Sequence, residues 1–224
     1  MKVGGEREER WHSAQSKEDS FWQRQGVLGP QMDRVSSRYG PVIKKISEEL
    51  ESDSRILDLG CGPTCPARLF TRGIKAYLDP LMGSYAGTHG DIMPRKGKIC
   101  AIAEEIPFRD GSLDLVLCVN ALDHMIDPGR VLEEIGRVLK GDGIFMLGNF
   151  LHPPGIALLR GFIERWLPLF REDAHPYSYT LKGMKRLLSK YFDIQEEIRV
   201  FRKDSALFPS VHREDWMFIC RNRK

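Results

Sequence analysis

The chain has 224 residues, of which 42% are hydrophobic and 29% charged, and its formal net charge is +3 at pH 7. These values are typical of one soluble globular domain, and no apolar run reaches the roughly 18 residues that a membrane span needs. The basic excess in residues 151–224 is too dilute for a nucleic-acid footprint, so we expect neither nucleic-acid binding nor stable membrane insertion. The charged N-terminus lacks the apolar core of a secretory signal, which predicts a cytoplasmic protein.

Residues 1–50 predict an N-terminal helical cap. The polar, charge-balanced segment 1–18 predicts a loosely ordered start, followed by a short helix at 19–25. Pro30 then opens a longer helix to about Leu50, because its apolar residues recur at helical spacing. Gly40–Pro41 is expected to bend or break this helix near its middle.

Strands and helices alternate from residue 55 onward. Pro63 predicts the first turn of a helix that runs to about Arg72, and Asp127–Pro128 opens an amphipathic helix that packs on the sheet. Further helices are predicted at 154–170 and 180–191. The predicted strands are 55–59, 75–79, 98–102, 113–119, 143–150, 193–201 and 215–220.

The alternation predicts an α/β fold with a doubly wound, mostly parallel sheet. Seven strands are expected. The connection between the last two is too short for a helical crossover, so we expect them to pair antiparallel at the sheet edge.

The strongest motif is RILDLGCGPT, residues 55–64, in which a strand runs into a turn that contains Gly60 and Gly62. Glycines let the backbone approach a ligand closely, and Asp58 at the strand end suits loop amides or a ligand ammonium. Asp79 ends the next strand, where a carboxylate can accept both hydroxyls of a ribose; its alternative role is a turn residue before Pro80.

This acidic-x-Gly-x-Gly motif resembles the first motif of the class I S-adenosylmethionine-dependent methyltransferases. Residues 103–147 resemble the middle block of the small-molecule, type 11-like branch of that family. The resemblance implies a Rossmann-like methyltransferase domain at 51–224, with a helical lid insertion at about 151–180. It implies S-adenosylmethionine as cofactor and S-adenosylhomocysteine as product.

The resemblance also assigns cofactor contacts. The residues after the third strand would lie against the adenine, although Ile102 stands where the family often has an aspartate. The backbone of Asn120 and Ala121 would contact the methionine part. The expected cofactor-binding set is Asp58, Gly60, Cys61, Gly62, Asp79, Pro80, Ile102, Ala103, Glu104, Asn120 and Ala121.

Asp123 and His124 follow the fourth strand and are the candidate catalytic residues, because an imidazole of near-neutral pKa suits a general base. The alternative for His124 is packing against the following helix. Two aromatic-rich segments are candidates for the wall of an acceptor site or, alternatively, for packing. They contain Phe21, Trp22 and Tyr39 in the first, and Phe150, His152, Arg160, Trp166, Arg171, His175, Tyr177 and Tyr179 in the second.

Several alternatives stay open at this stage. Residues 154–170 suit a lid, a homodimer contact or a membrane-surface helix. Cys61 and Cys65 lack a second Cys/His pair downstream, so no metal site is expected. The expected activity is methyl transfer to a small-molecule acceptor, with a sugar or natural-product intermediate suggested by a looser resemblance. An NAD-type oxidoreductase is disfavoured by Cys65 at the position of its third glycine, and an inactive binding module of the same fold is the third possibility.

Overall fold

The computed structural model describes residues 3–26, 28–155, 177–204 and 212–223. Most of the predicted helix at 154–170, and Arg160, Trp166, Arg171 and His175, therefore lie outside the described residues. Among the helices that are described, none combines the length and the apolar character that a bilayer crossing requires.

The described strands form one seven-stranded sheet in the order β3-β2-β1-β4-β5-β7-β6. The strands are β1 Arg55–Leu59, β2 Ile74–Leu78, β3 Lys98–Ile99, β4 Leu113–Val119, β5 Leu139–Leu151, β6 Phe192–Asp204 and β7 His212–Asn222. Neighbouring strands from β3 to β5 are parallel, whereas β7 pairs antiparallel with both β5 and β6. The predicted fold class is confirmed, with β3 three residues shorter than expected.

Five α-helices in the described residues cover the sheet and its edges. They are α1 Val3–Gln23, α2 Gly29–Glu49, α3 Met82–His89, α4 Pro128–Val138 and α5 Leu181–Leu188. The buried apolar residues form one cluster with α4 and α5 and another with α2. This arrangement explains why β4 is apolar almost throughout: its two faces are buried in different clusters.

The prediction of a loosely ordered N-terminus is wrong. Residues 3–23 form the continuous helix α1, which includes residues 19–23 of the short helix expected at 19–25. Ala14 on this helix is fully buried, and the carbonyl oxygen of Trp22 contacts His89 Nε2 on α3 at 3.0 Å. The polar sequence gave no helical periodicity because α1 contacts the rest of the protein through scattered residues.

Helix α2 runs without a break through Gly40 and Pro41, contrary to expectation. Proline removes one backbone donor and costs roughly 3 kcal/mol inside a helix. Here Ser37, whose carbonyl loses that donor, is exposed to water. Burial of Tyr39, Ile43 and Ile46 on the same helix offsets the remaining cost.

The predicted helix from Pro63 to Arg72 is also wrong. A single 3₁₀ turn, Pro66–Leu69, follows the glycine loop, and Cys65 before it has a left-handed φ of 46°. A helix N-terminus beneath the loop is therefore absent from this described part of the chain. Helix α3, between β2 and β3, was not predicted.

Candidate functional site

A cavity of about 560 Å³ lies at the carboxyl ends of the central strands. Ligands of doubly wound sheets bind at the carboxyl edge where the strand order reverses, which here is between β1 and β4. Ten of the lining residues in the loops after β1 to β4 belong to the predicted cofactor-binding set, and we name these ten the sheet wall: Gly60, Cys61, Gly62, Asp79, Pro80, Ile102, Ala103, Glu104, Asn120 and Ala121. The sheet wall contains every residue of the predicted cofactor-binding set except Asp58.

Gly60 and Gly62 shape the loop after β1. Both have positive φ angles, 64° and 51°, which a side chain would strain. A Cβ atom on Gly60 would lie only 2.4 Å from Ala121 Cβ, whereas one on Gly62 would meet no atom within 4 Å. The first glycine is therefore required by close packing of two loops, and the second leaves open space.

Asp79 holds this loop from the neighbouring strand. Its Oδ2 accepts a hydrogen bond from Gly62 N at 3.0 Å and its Oδ1 accepts one from Leu81 N at 2.9 Å. Burial raises the pKa of Asp79 to about 6, although both backbone hydrogen bonds act to lower it. Each carboxylate oxygen has two lone pairs, so both retain acceptor capacity towards the cavity.

Asp58 lies behind the sheet wall and does not line the cavity. Its Oδ2 accepts a hydrogen bond from Ala67 N at 2.7 Å, in the 3₁₀ turn, and its Oδ1 has no partner among the described residues. Burial raises the pKa of Asp58 to about 8. The structure thus gives Asp58 the loop-holding role of its two expected roles, and it does not bring Asp58 to the cavity surface.

Glu104 lines the cavity while holding the chain that follows β4. Its Oε1 accepts hydrogen bonds from Ile126 N at 2.8 Å and Asp127 N at 3.1 Å. Ile102 and Ala103, just before it, present apolar surface to the same part of the cavity. The Glu104 carboxylate therefore links two parts of the site. One is the segment after β3, which is expected to lie against the adenine, and the other is the loop that carries His124.

The loop after β4 begins at Asn120, whose φ of 51° is left-handed. Its backbone N–H donates to Gly148 O at 2.7 Å, and its side-chain Oδ1 accepts from the Tyr39 hydroxyl at 3.2 Å. Asp123 and His124 both line the cavity, with Asp123 Oδ2 3.9 Å from His124 Nε2. The sequence-predicted catalytic pair is thus brought to the cofactor-binding set.

Helices α1 and α2 supply a second wall that the sequence reasoning mostly missed. We name it the helical wall, and its lining residues are Trp11, Gln15, Lys17, Glu18, Phe21, Trp22, Gln31, Arg34 and Val35. Only Phe21 and Trp22 were predicted. The helical pattern of α2 could have indicated a face containing Gln31, Arg34 and Val35, but α1 shows no comparable pattern.

The acceptor-site candidates separate into two groups. Phe150 and His152, at the end of β5, line the cavity with their rings 4.5 Å apart. Tyr39 does not line it, since it is buried against Gly148. Tyr177 and Tyr179 also lie outside the lining, and the Tyr177 hydroxyl donates to Ile126 O at 2.7 Å. These tyrosines have packing roles.

Sequence comparison with known proteins matches the part of the chain that carries the sheet wall. Residues 57–147 match the methyltransferase domain family. An uncharacterized methyltransferase, YcgJ, of Bacillus subtilis is 28% identical over 66% of this chain and 62% of its own length. The 27-O-demethylrifamycin SV methyltransferase of Amycolatopsis mediterranei is 33% identical over 52% of this chain and 46% of its own length. Less than two thirds of each relative is covered.

Solved structures share the fold. The crystal structure of YcgJ from Bacillus subtilis has a TM-score of 0.61 at 18% identity, covering 84% of this chain and 99% of that one. A geranyl diphosphate methyltransferase in complex with S-adenosylmethionine has a TM-score of 0.64 at 12% identity, covering 85% of this chain and 87% of that one. At these identities the likeness is one of fold.

A seven-stranded sheet with an antiparallel β7, and a glycine-loop cavity at its switch point, define a Rossmann-like methyltransferase. The match at residues 57–147 and the methyltransferase relatives fall within this fold. Over residues 57–147 the chain is similar to the methyltransferase domain family, and its fold is that of methyltransferases of known structure. The oxidoreductase alternative gains no support from these findings.

Proposed function

We propose that this chain transfers a methyl group from S-adenosylmethionine to a small-molecule acceptor. The observation that carries the proposal is the glycine loop at the switch point, which Asp79 holds open towards a cavity by its bond to Gly62 N. The volume of about 560 Å³ is within the range of small-molecule sites.

The sheet wall fits the cofactor. Open space at the Cβ position of Gly62 suits close approach of an aminoacyl group to the loop. The remaining lone pairs of Asp79 suit the two ribose hydroxyls, and the apolar surface of Ile102 and Ala103 suits an adenine face. The left-handed backbone at Asn120 turns the chain back at the carboxyl end of β4, beside the glycine loop.

When bound, the cofactor supplies a methyl group already activated by its sulfonium. The protein residues then have to orient the acceptor in line with that methyl group and exclude water. Orientation of two reactants accounts for roughly 7–11 kcal/mol in well-aligned cases. The loops after β1, β2 and β4, whose backbone N–H groups donate to Asp79 or Glu104, suit this positioning role.

His124 is proposed as the general base, with Asp123 orienting it. Their separation of 3.9 Å is compatible with an ion pair once the imidazole is protonated. A base is useful when the acceptor is a hydroxyl, because removing the proton as the bond forms strengthens the nucleophile. This assignment therefore goes with O-methylation.

The acceptor is proposed to be a natural-product or sugar intermediate. The aromatic residues Trp11, Trp22 and Phe150 give the cavity the apolar sides that such molecules require. The rifamycin methyltransferase, named for a natural-product substrate, supports this class.

Calorimetric titration of the protein with S-adenosylhomocysteine tests the cofactor assignment. We expect saturable one-to-one binding, and a parallel titration with NADH should give no heat. Binding of NADH in place of S-adenosylhomocysteine would reject the methyltransferase proposal in favour of an oxidoreductase.

A further inference from the structure

One face of α2 is directed to the β5 and β7 side of the cavity. Gln31, Arg34, Val35 and Arg38 share this face by their three- and four-residue spacing. Arg38 forms an ion pair with Asp215 on β7. Asp215 is in turn the register partner of Phe150, the cavity-lining residue of β5.

Another side of α2 packs against the 3₁₀ turn that follows the glycine loop, and it carries Met32. Met32 contacts Arg68, in the 3₁₀ turn after the glycine loop, at 4.0 Å. Arg34 lies one turn before Arg38 on the same face of α2, and it lines the cavity together with Phe150 and His152. The face that carries Arg34 thus continues to Arg38 and β7, whereas Met32 is directed to the turn after the glycine loop.

Arg34 brings a positive charge that the described residues do not match. Its exposed guanidinium makes no hydrogen bond or ion pair within the part of the chain that the structure describes. Four acidic residues line the cavity, and each already has another partner: Asp79 and Glu104 accept from backbone N–H groups, Glu18 accepts from Trp22 Nε1 at 2.6 Å, and Asp123 Oδ2 lies 3.9 Å from His124 Nε2. Its guanidinium is therefore available for an anionic ligand.

Gln31 adds a neutral group beside this charge. Its Nε2 donates to Gln25 Oε1 at 2.6 Å, and its Oε1 is buried without a hydrogen-bond partner among the described residues. A buried carbonyl oxygen without a donor is unfavourable, so a ligand hydroxyl or amide donor would stabilise it. Gln31 lies in the first turn of α2, and Arg34 lies in the second.

We propose that Arg34 binds an anionic group of the acceptor, a carboxylate or a phosphate, while Gln31 Oε1 accepts a hydrogen bond from a further hydroxyl or an amide N–H of the same molecule. The acceptor is then a hydroxylated acid or a phosphate ester whose anion is anchored on α2. Its hydroxyl would be directed towards His124. This inference rests on the proposed methyltransferase function and specifies its substrate class.

The test uses the protein saturated with S-adenosylhomocysteine and two matched probe pairs. Hydroxybenzoate is compared with hydroxybenzamide, and phenyl phosphate with phenol, by calorimetry. We expect at least one anion to bind about tenfold more tightly than its neutral partner, since charge-assisted hydrogen bonds are roughly twice as strong as neutral ones. The pair that shows the preference distinguishes a carboxylate from a phosphate.

Arg34→Gln should abolish that preference, whereas Arg95→Gln should preserve it, because Arg95 is exposed and does not line the cavity. S-adenosylhomocysteine should bind wild type and both variants equally.

Equal binding of the charged and neutral probes to wild type would overturn the inference while leaving cofactor binding, and the proposed function, intact. The inference would also be overturned if Arg34→Gln lost affinity for S-adenosylhomocysteine but kept its affinity for methylthioadenosine. Arg34 would then bind the carboxylate of the cofactor and not an anion of the acceptor. Failure of wild type to bind S-adenosylhomocysteine would instead reject the proposed function.

Discussion

The two walls of the cavity are constructed differently. The sheet wall consists of short loops at the ends of parallel strands, and buried carboxylates hold backbone N–H groups in it and in the adjoining turns: Asp79 accepts from Gly62, Asp58 from Ala67, and Glu104 from Ile126. The helical wall presents side chains from α1 and α2, several of them partly exposed. One wall fixes backbone positions, and the other offers exchangeable side chains.

This difference indicates a division of labour. A cofactor common to a whole family suits a wall whose geometry depends on glycines and buried hydrogen bonds, because few substitutions preserve it. An acceptor that differs between relatives suits a wall of helix side chains, where a substitution changes the chemistry without moving the backbone. Substitutions on the two walls should therefore have separable effects.

The largest effect is expected from Gly60→Ala. The new Cβ would clash with Ala121 Cβ, and the left-handed φ adds strain, so the two loops cannot keep their spacing. We expect S-adenosylhomocysteine affinity to fall by roughly several hundredfold, measured by calorimetry, because these costs sum to a few kcal/mol. Gly87→Ala on α3, where a Cβ would meet no atom within 4 Å, is the control. Normal affinity in Gly60→Ala would show that the loop does not hold the cofactor.

His124→Ala separates binding from turnover. Loss of a general base should lower kcat by about a hundredfold. The affinity for S-adenosylhomocysteine should hardly change, since His124 is not part of the sheet wall. The measurement is single-turnover methyl transfer to an accepted hydroxyl substrate, with calorimetry on the same protein. An unchanged rate would remove His124 from the mechanism.

Asp79→Asn should weaken S-adenosylhomocysteine binding by about tenfold, because an amide cannot accept all the hydrogen bonds of a carboxylate. Binding by wild type should also depend on pH. The pKa of Asp79 is raised by burial to about 6, so the carboxylate is charged above that pH and becomes protonated below it. Affinity should be constant above about pH 7 and fall as the pH decreases through 6.

The Asp79→Asn variant should lack that pH dependence. Asp91→Asn, on an exposed residue outside the cavity, should behave as wild type. A profile that falls equally in all three proteins would assign the titration to another group.

The smallest expected effect comes from an electrostatic interaction between the two walls. Glu18 on α1 is one of the charges that raise the pKa of Asp79. Glu18→Gln removes this charge, so the midpoint of the wild-type pH profile should move down by less than about one unit. Glu8→Gln, on an exposed part of the same helix, should leave the midpoint in place. An upward shift would contradict the proximity of the two carboxylates.

The two walls also differ in how far the sequence could predict them. The sheet wall could be predicted because Gly60, Gly62 and Asp79 stand at fixed distances from apolar strands, and the carboxyl ends of parallel strands meet at one edge. The helical wall could not, since the polar residues of α1 give no signal of which side faces the cavity. Asp58 and Asp79 both end strands, and the sequence could not tell that only Asp79 reaches the cavity surface.

The sequence by itself determined the α/β fold class, the strand that begins the site and the glycine loop, because alternating apolar patterns and glycine positions are local properties. Only the tertiary structure decided that α1 is ordered, that α2 continues through Pro41 and that Arg34 borders the cavity. These features depend on contacts between segments far apart in the chain, such as Trp22 with His89 and Arg38 with Asp215. The free energy of such contacts outweighs local propensity, and no local pattern encodes it.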